Sequence, residues 1–140
     1  MPALAAPVTQ ASHARIVDEL GRRITGGALQ VGDGMTVARL EEEFAASRTV
    51  VREAIRVLEA HGLVASRRRV GVIVQPRERW RTLDATVIAW TLQGPRRQEL
   101  LVELTALRVA VEPVAAAQAA RPAPPADPMA KQAQVLAEIG

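Results

Sequence analysis

Cysteine is absent from this chain of 140 residues, and with it go disulfides, thiolate metal sites and cysteine nucleophiles. Tyrosine is absent as well. Trp80, Trp90 and Phe44 are the whole aromatic content, so any core is aliphatic, built from Leu, Val, Ile and Ala, which suits helices better than a large sheet. No stretch approaches the run of about 18 apolar residues that a membrane span needs. The opening MPALAAPVTQASHA lacks the basic start and apolar segment of a signal peptide, so a cytoplasmic location is expected. Lysine is nearly missing too, since 17 of the 18 basic residues are arginine. GC-rich coding alone would produce that bias, and it carries no functional weight. His13 and His61 are the only histidines and have no metal-ligand spacing around them, so neither a metal nor another cofactor is expected. With no nucleophile–base pair and no Gly-rich phosphate loop, the chain does not read as an enzyme. Its one acidic run, Glu41-Glu42-Glu43, is consecutive on a short helix and would spread around it rather than converge on a substrate.

What is present is an uneven charge. The net charge is only +3, but residues 48–79 hold eight arginines against Glu53, Glu59 and Glu78, whereas residues 81–140 balance six basic with six acidic side chains. The positive field is therefore local, and a local basic patch is the electrostatic footprint of a nucleic-acid partner. Within it, AASRTVVREAIRVLEAHGLVASRRRVGVIV spaces Arg48, Arg52 and Arg56 four apart and then places Arg67, Arg68 and Arg69 together on a short turn.

The periodicities fix the order of elements around that patch. Residues 1–9 read as a loose leader. Ile16, Leu20 and Ile24 share one face of a helix from about Ser12 to Thr25, closed by Gly26-Gly27. QVGDGM reads as a turn. Thr36 can cap a short second helix carrying Leu40 and Phe44 inward, although Arg39 stands where a capping box prefers Glu. Ser47 can cap a third helix, whose core face is Val51, Ala54, Ile55 and Leu58, and Gly62 sits at its C′ position. LVASRRRVGVIV then reads as two strands around a basic turn, with Gly71 free to take an unusual backbone angle. Helix, short helix, helix, hairpin is the order of a winged helix-turn-helix. Beyond Pro76, Asp84 can cap a helix through Leu92, and a longer helix runs to about Ala120 with Pro113 inside it. RPAPPADP cannot be helical, and a last helix begins near Met129. Val87, Trp90, Leu101, Leu104, Val111 and Val114 are apolar positions for which the sequence barely supplies partners.

SRTVVREAIRVLEAHGLV followed by SRRRVGVIVQPR closely resembles the DNA-binding domain of GntR-type bacterial transcription regulators. WRTLDATVIAW and ELTALRVAVEPVAAAQAA are similar to the start of the helical FCD effector domain of the FadR-like branch, in particular of sugar-acid regulators of the galactonate type, in which a W-x-x-L-D-x-x-V-x-x-W segment joins the two domains. The resemblance implies a mainly α protein with a small β-hairpin. It places a winged helix-turn-helix DNA-binding domain over residues 10–76, a linker and connecting helix over 77–94, and the N-terminal part of an all-α effector domain over 95–140. It further implies a homodimer on an inverted-repeat operator in double-stranded DNA, released by a sugar acid or related carboxylate. Two departures stand out. Only Thr36 remains of the Pro-Ser/Thr-Glu opening of the family's second helix. The family's divalent-metal ligands, one Asp and three His, fall beyond residue 140, so this chain is expected to be a C-terminally shortened member without that site.

The residues expected at DNA are Thr36, Ser47, Arg48, Thr49, Arg52, Arg56, Arg67, Arg68, Arg69 and Gly71. Arg48, Thr49 and Arg52 lie at the start of the third helix, where a recognition helix presents side chains to base edges; Arg can bond guanine in two places and Thr a base or phosphate. Ser47 can reach a phosphate at the same helix start. Arg56, further along, faces phosphate or solvent. Arg67, Arg68 and Arg69 either discourage strand pairing at a sheet edge or enter a groove of strong negative potential. The resemblance sets a Gly such as Gly71 at the wing, letting the backbone approach DNA, and an effector-facing Arg near Arg108, for which Glu112 one turn on is an equally good partner. His61 reads as a C-terminal helix charge complement, and Trp80 and Trp90 as packing anchors. The alternative to a regulator is a shortened interaction protein, or a relic without function, that pairs with intact family members through exposed apolar helices.

Overall fold

The structure, a computed structural model, describes residues 12–122. The leader, most of RPAPPADP and the helix expected from Met129 lie outside these residues. The described chain runs α1 (His13–Thr25), β1 (Gly34–Met35), α2 (Val37–Phe44), α3 (Arg48–Ala60), β2 (Val64–Arg67), β3 (Gly71–Val74), a 3-10 turn at Arg77–Arg79, α4 (Ala85–Gln93) and α5 (Arg97–Ala119). Every helix expected from the sequence within these residues is present.

Each start has a local cause. The Thr36 hydroxyl accepts the Arg39 N–H at 3.2 Å, one of the two bonds of a capping box, because Arg39 cannot return the second. Ser47 Oγ accepts the Val50 N–H at 3.3 Å to start α3. Between them Ala45, at φ 48, turns the chain sharply from one helix to the next. The far end of α3 requires glycine on two counts: Gly62 has φ +76, and a Cβ there would lie 2.1 Å from the Arg79 carbonyl oxygen.

The sheet departs from a simple hairpin. β2 and β3 pair antiparallel as expected, with Val64 opposite Val74 and Arg67 opposite Gly71. The segment read as a turn, QVGDGM, contributes a third strand: Gly34 pairs with Ile73 and Met35 with Val72, giving the order β1-β3-β2. Two residues are too few to show the alternation that marks a strand in sequence. The close β1–β3 approach fixes Gly71, whose φ is +104 and whose added Cβ would sit 2.5 Å from the Met35 carbonyl oxygen.

The core is aliphatic, with Ile16, Leu20 and Ile24 of α1, Leu40 of α2, Val51, Ala54 and Leu58 of α3, and Val72 and Val74 of β3 in one cluster. Val87 and Trp90 of α4, left without partners by the sequence, belong to that same cluster. The Trp90 ring lies flat on Gly21, its Nε1 donates to Asp18 Oδ1 at 2.7 Å, and the His61 ring meets it edge-on at 5.6 Å. Trp80 is buried as well, donating from Nε1 to the Gln75 carbonyl at 2.8 Å. Asp84 Oδ1 caps α4 by accepting the Thr86 and Val87 amides at 2.9 and 3.4 Å. These amides, the Thr86 one above all, hold the Asp84 carboxyl below its ordinary pKa, with a smaller contribution from His61 at 3.5 Å.

A first compact unit extends to Leu101 and a second begins at Val102. Within the second, α5 continues through Pro113, whose missing N–H removes one helical bond. Val102, Val109, Val111 and Val114 are exposed there.

Candidate nucleic-acid interface

The amphipathic sequence of α3 divides it cleanly. Val51, Ala54, Ile55 and Leu58 face the core, while Arg48, Thr49, Arg52 and Arg56 are exposed, the three arginines on the adjoining arc. At the start of the helix the Val50 amide is taken by Ser47, so the amides of Arg48 and Thr49 remain directed outward beside the hydroxyl. That cluster of donors suits an anion.

The turn between β2 and β3 is closed by the Val70 N–H donating to the Arg67 carbonyl at 3.2 Å. It places Arg67, Arg68, Arg69 and Val70 in solvent, with Arg69 in the left-handed region at φ 66. Left-handed backbone in a non-glycine residue costs on the order of 1 kcal/mol, so the arginine is held there against its own preference.

The helix and the turn are brought together. Arg52, Ile55, Arg56 and Glu59 of α3 line one groove of about 290 Å3 with Ser66 and Arg67 of β2 and Gly71 of β3. Thr36 adjoins it, since its Cα lies 3.8 Å from where a Gly71 Cβ would stand. Thus the cap of α2, the exposed face of α3 and the wing are neighbours, as elements aimed at one polyanion must be. Gly71 takes the unusual backbone angle expected of it, and it also has a structural cause: its backbone approaches that of β1 at the Met35 carbonyl.

Ion pairing sorts the arginines further. Arg22 and Arg23 are engaged by Asp18, Glu19 and Glu43, and Arg77 and Arg96 by Glu99. Arg56 is held by Glu53 at 3.2 Å and Arg108 by Glu112 at 2.8 Å. Among the described residues, Arg48, Arg52, Arg67, Arg68 and Arg69 have no carboxylate partner, which is also true of Arg15, Arg39, Arg79, Arg81, Arg97 and Arg121; what distinguishes the five is their clustering on α3 and the wing. Glu43 of the acidic run reaches α1 through Arg23. The bond missed by sequence reasoning is the one from the Ser66 amide to Glu59 Oε1, at 2.7 Å. No local motif marks it, because donor and acceptor lie on different elements.

Two short helices joined by a tight turn, the second solvent-facing and flanked by a basic three-stranded wing, define a winged helix-turn-helix domain. The bacterial regulatory proteins of the gntR family match residues 12–74, α1 through β3, and this segment is a GntR-family helix-turn-helix domain. The galactonate operon transcriptional repressor of Escherichia coli K12 is 38% identical over 114 residues, 81% of this chain and 50% of that protein. The uncharacterized HTH-type transcriptional regulator YieP of the same organism is 32% identical over 106 residues, 75% of this chain and 46% of that protein. The chain spans about half the length of both relatives. A solved GntR family transcriptional regulator from Listeria monocytogenes aligns at 15% identity over 78% of this chain and 94% of that one, with a TM-score of 0.47, too loose a likeness to add to the topology.

Proposed function

We propose that the chain is a DNA-binding transcription regulator that reads its operator with α3 and grips the adjacent backbone with the wing. The observation that carries this reading is the set of five arginines, Arg48, Arg52, Arg67, Arg68 and Arg69, exposed without carboxylate partners on two elements that share one groove. Arg48, Thr49 and Arg52 address base edges, Ser47 and Thr36 take phosphates at helix starts, and the wing arginines enter the neighbouring groove. Arg56, neutralised by Glu53, contributes less. Two copies related by a two-fold axis would set two recognition helices in successive major grooves of an inverted repeat. The relative's role as a galactonate operon repressor favours repression relieved by a sugar acid or similar carboxylate. On this reading residues 10–76 are the DNA-binding domain, 77–94 connect it, and 95–140 begin an effector domain. Arg108 is a weak effector ligand there because Glu112 already engages it.

The test is Arg52→Ala. It removes a base-edge contact of about 1–3 kcal/mol from each subunit, about 2–6 kcal/mol in a dimer and comparable to the margin of specific over non-specific binding, without touching the core, so sequence-specific binding to DNA from upstream of the chain's own gene is abolished while the helical CD signal stays unchanged. Specific binding that survives the substitution would show that α3 is not the reading element.

A further inference from the structure

β2 is an edge strand, hydrogen-bonded to β3 on one side only. Its outward amide at Ser66 does not face water alone: it donates to Glu59 Oε1 at 2.7 Å, across from the last turn of α3. Glu59 is the one carboxylate among the residues lining the groove that also holds Arg52, Arg56 and Arg67. Beside a polyanion site a negative charge weakens binding, so its presence needs a compensating role. An ionised acceptor makes a shorter and stronger bond than a neutral one, and this bond joins the helix that would read bases to the strand that leads into Arg67, Arg68 and Arg69. We propose that Glu59 is a positioning residue of the DNA interface, latching the wing to α3 through the Ser66 amide and so setting where the wing arginines meet the phosphates. The inference rests on the DNA-binding reading above. The latch explains how a four-residue edge strand that leads into three like charges keeps a fixed place. Mutual repulsion would otherwise splay the turn, and the β3 ladder alone does not set its angle to α3.

Glu59→Gln keeps an oxygen acceptor and removes the charge; Glu59→Ala removes both; Ser66→Pro deletes the donor where an edge strand tolerates proline. The full chain is titrated with duplex DNA from upstream of its own gene at several salt concentrations, and Ser66 amide exchange is followed in the free wild type and both Glu59 variants. Glu59→Ala and Ser66→Pro are each expected to bind about tenfold more weakly, with a salt slope shallower by about one to two, because wing contacts to phosphate are lost. Glu59→Gln is expected to stay within about twofold of wild type or to bind tighter, with Ser66 still protected. A Glu59→Ala chain whose melting temperature falls while its salt slope is unchanged would reduce Glu59 to a stabilising contact and overturn the proposal. Unchanged Ser66 exchange in Glu59→Ala would overturn it as well. A wild-type chain that binds no duplex would overturn the DNA-binding reading itself, and the latch with it.

Discussion

Removing the hydrogen at Gly21 in favour of a methyl group should have opposite effects on stability with and without Trp90. Gly21 is inside α1, where glycine is worse than alanine by about 0.8–1 kcal/mol, so Gly21→Ala would stabilise an isolated helix. Here, however, an added Cβ lies 2.6 Å from three ring carbons of Trp90, a side chain only 3% exposed and tied at Nε1 to Asp18. Neither the ring nor the helix can retreat without breaking that bond or opening the core, and overpacking of this kind costs about 1–3 kcal/mol. Gly21→Ala alone is therefore expected to be net destabilising by up to about 2 kcal/mol. Trp90→Ala destabilises by about 3–5 kcal/mol, but in its background the methyl meets no ring, and Gly21→Ala becomes stabilising by about 1 kcal/mol. Urea unfolding of the four chains, followed by the far-UV helical signal because tryptophan fluorescence changes with the substitution, gives the coupling directly. If Gly21→Ala stabilises in both backgrounds, α4 is not seated on α1.

Other perturbations report on the sheet and on the cap of α4. Gly71→Ala forces an L side chain to φ +104 and a Cβ to 2.5 Å from the Met35 carbonyl, so a loss of about 2–4 kcal/mol in urea unfolding is expected; a change below about 0.5 kcal/mol would mean that β1 is not pinned there. The folded-state pKa of Asp84 is depressed, so its contribution to stability is complete above the ordinary carboxylate range and is lost as pH falls through that range to the lower folded value. Asp84→Asn, which still caps but does not titrate, should flatten the acid limb of the stability–pH curve; an unchanged acid limb would place the titration elsewhere.

The legible part of this fold is what local chemistry writes. Thr36, Ser47 and Asp84 announce helix starts by their position before apolar periodicity, and Gly62 announces an end. The four-residue spacing of Arg48, Arg52 and Arg56 displays a face once a helix is assumed. What could not be read depends on residues far apart in the chain. Met35 pairs with Val72 and Asp18 meets Trp90, each through tertiary placement that no window of sequence contains; Glu59 and Ser66 are only seven residues apart, but they meet only once α3 and β2 are both in place. Hence Trp90 has no partner in its own stretch of sequence: Asp18, which accepts its Nε1–H, lies on α1, 72 residues earlier, and Val87 joins the same core cluster. Gly71 shows the subtler failure, since its unusual backbone angle was foreseeable but the neighbour that requires it, β1, was hidden inside a turn signal.

The most direct measurement is the salt dependence of binding between the purified chain and DNA from upstream of its own gene, with an unrelated duplex alongside. Three phosphate contacts among the helix and wing arginines of each subunit, doubled in a dimer, predict a log–log slope of roughly −5 and far weaker binding to the unrelated duplex. A slope near zero, or equal affinity for both duplexes, would contradict the claim that α3 and the wing act together as a reader of DNA.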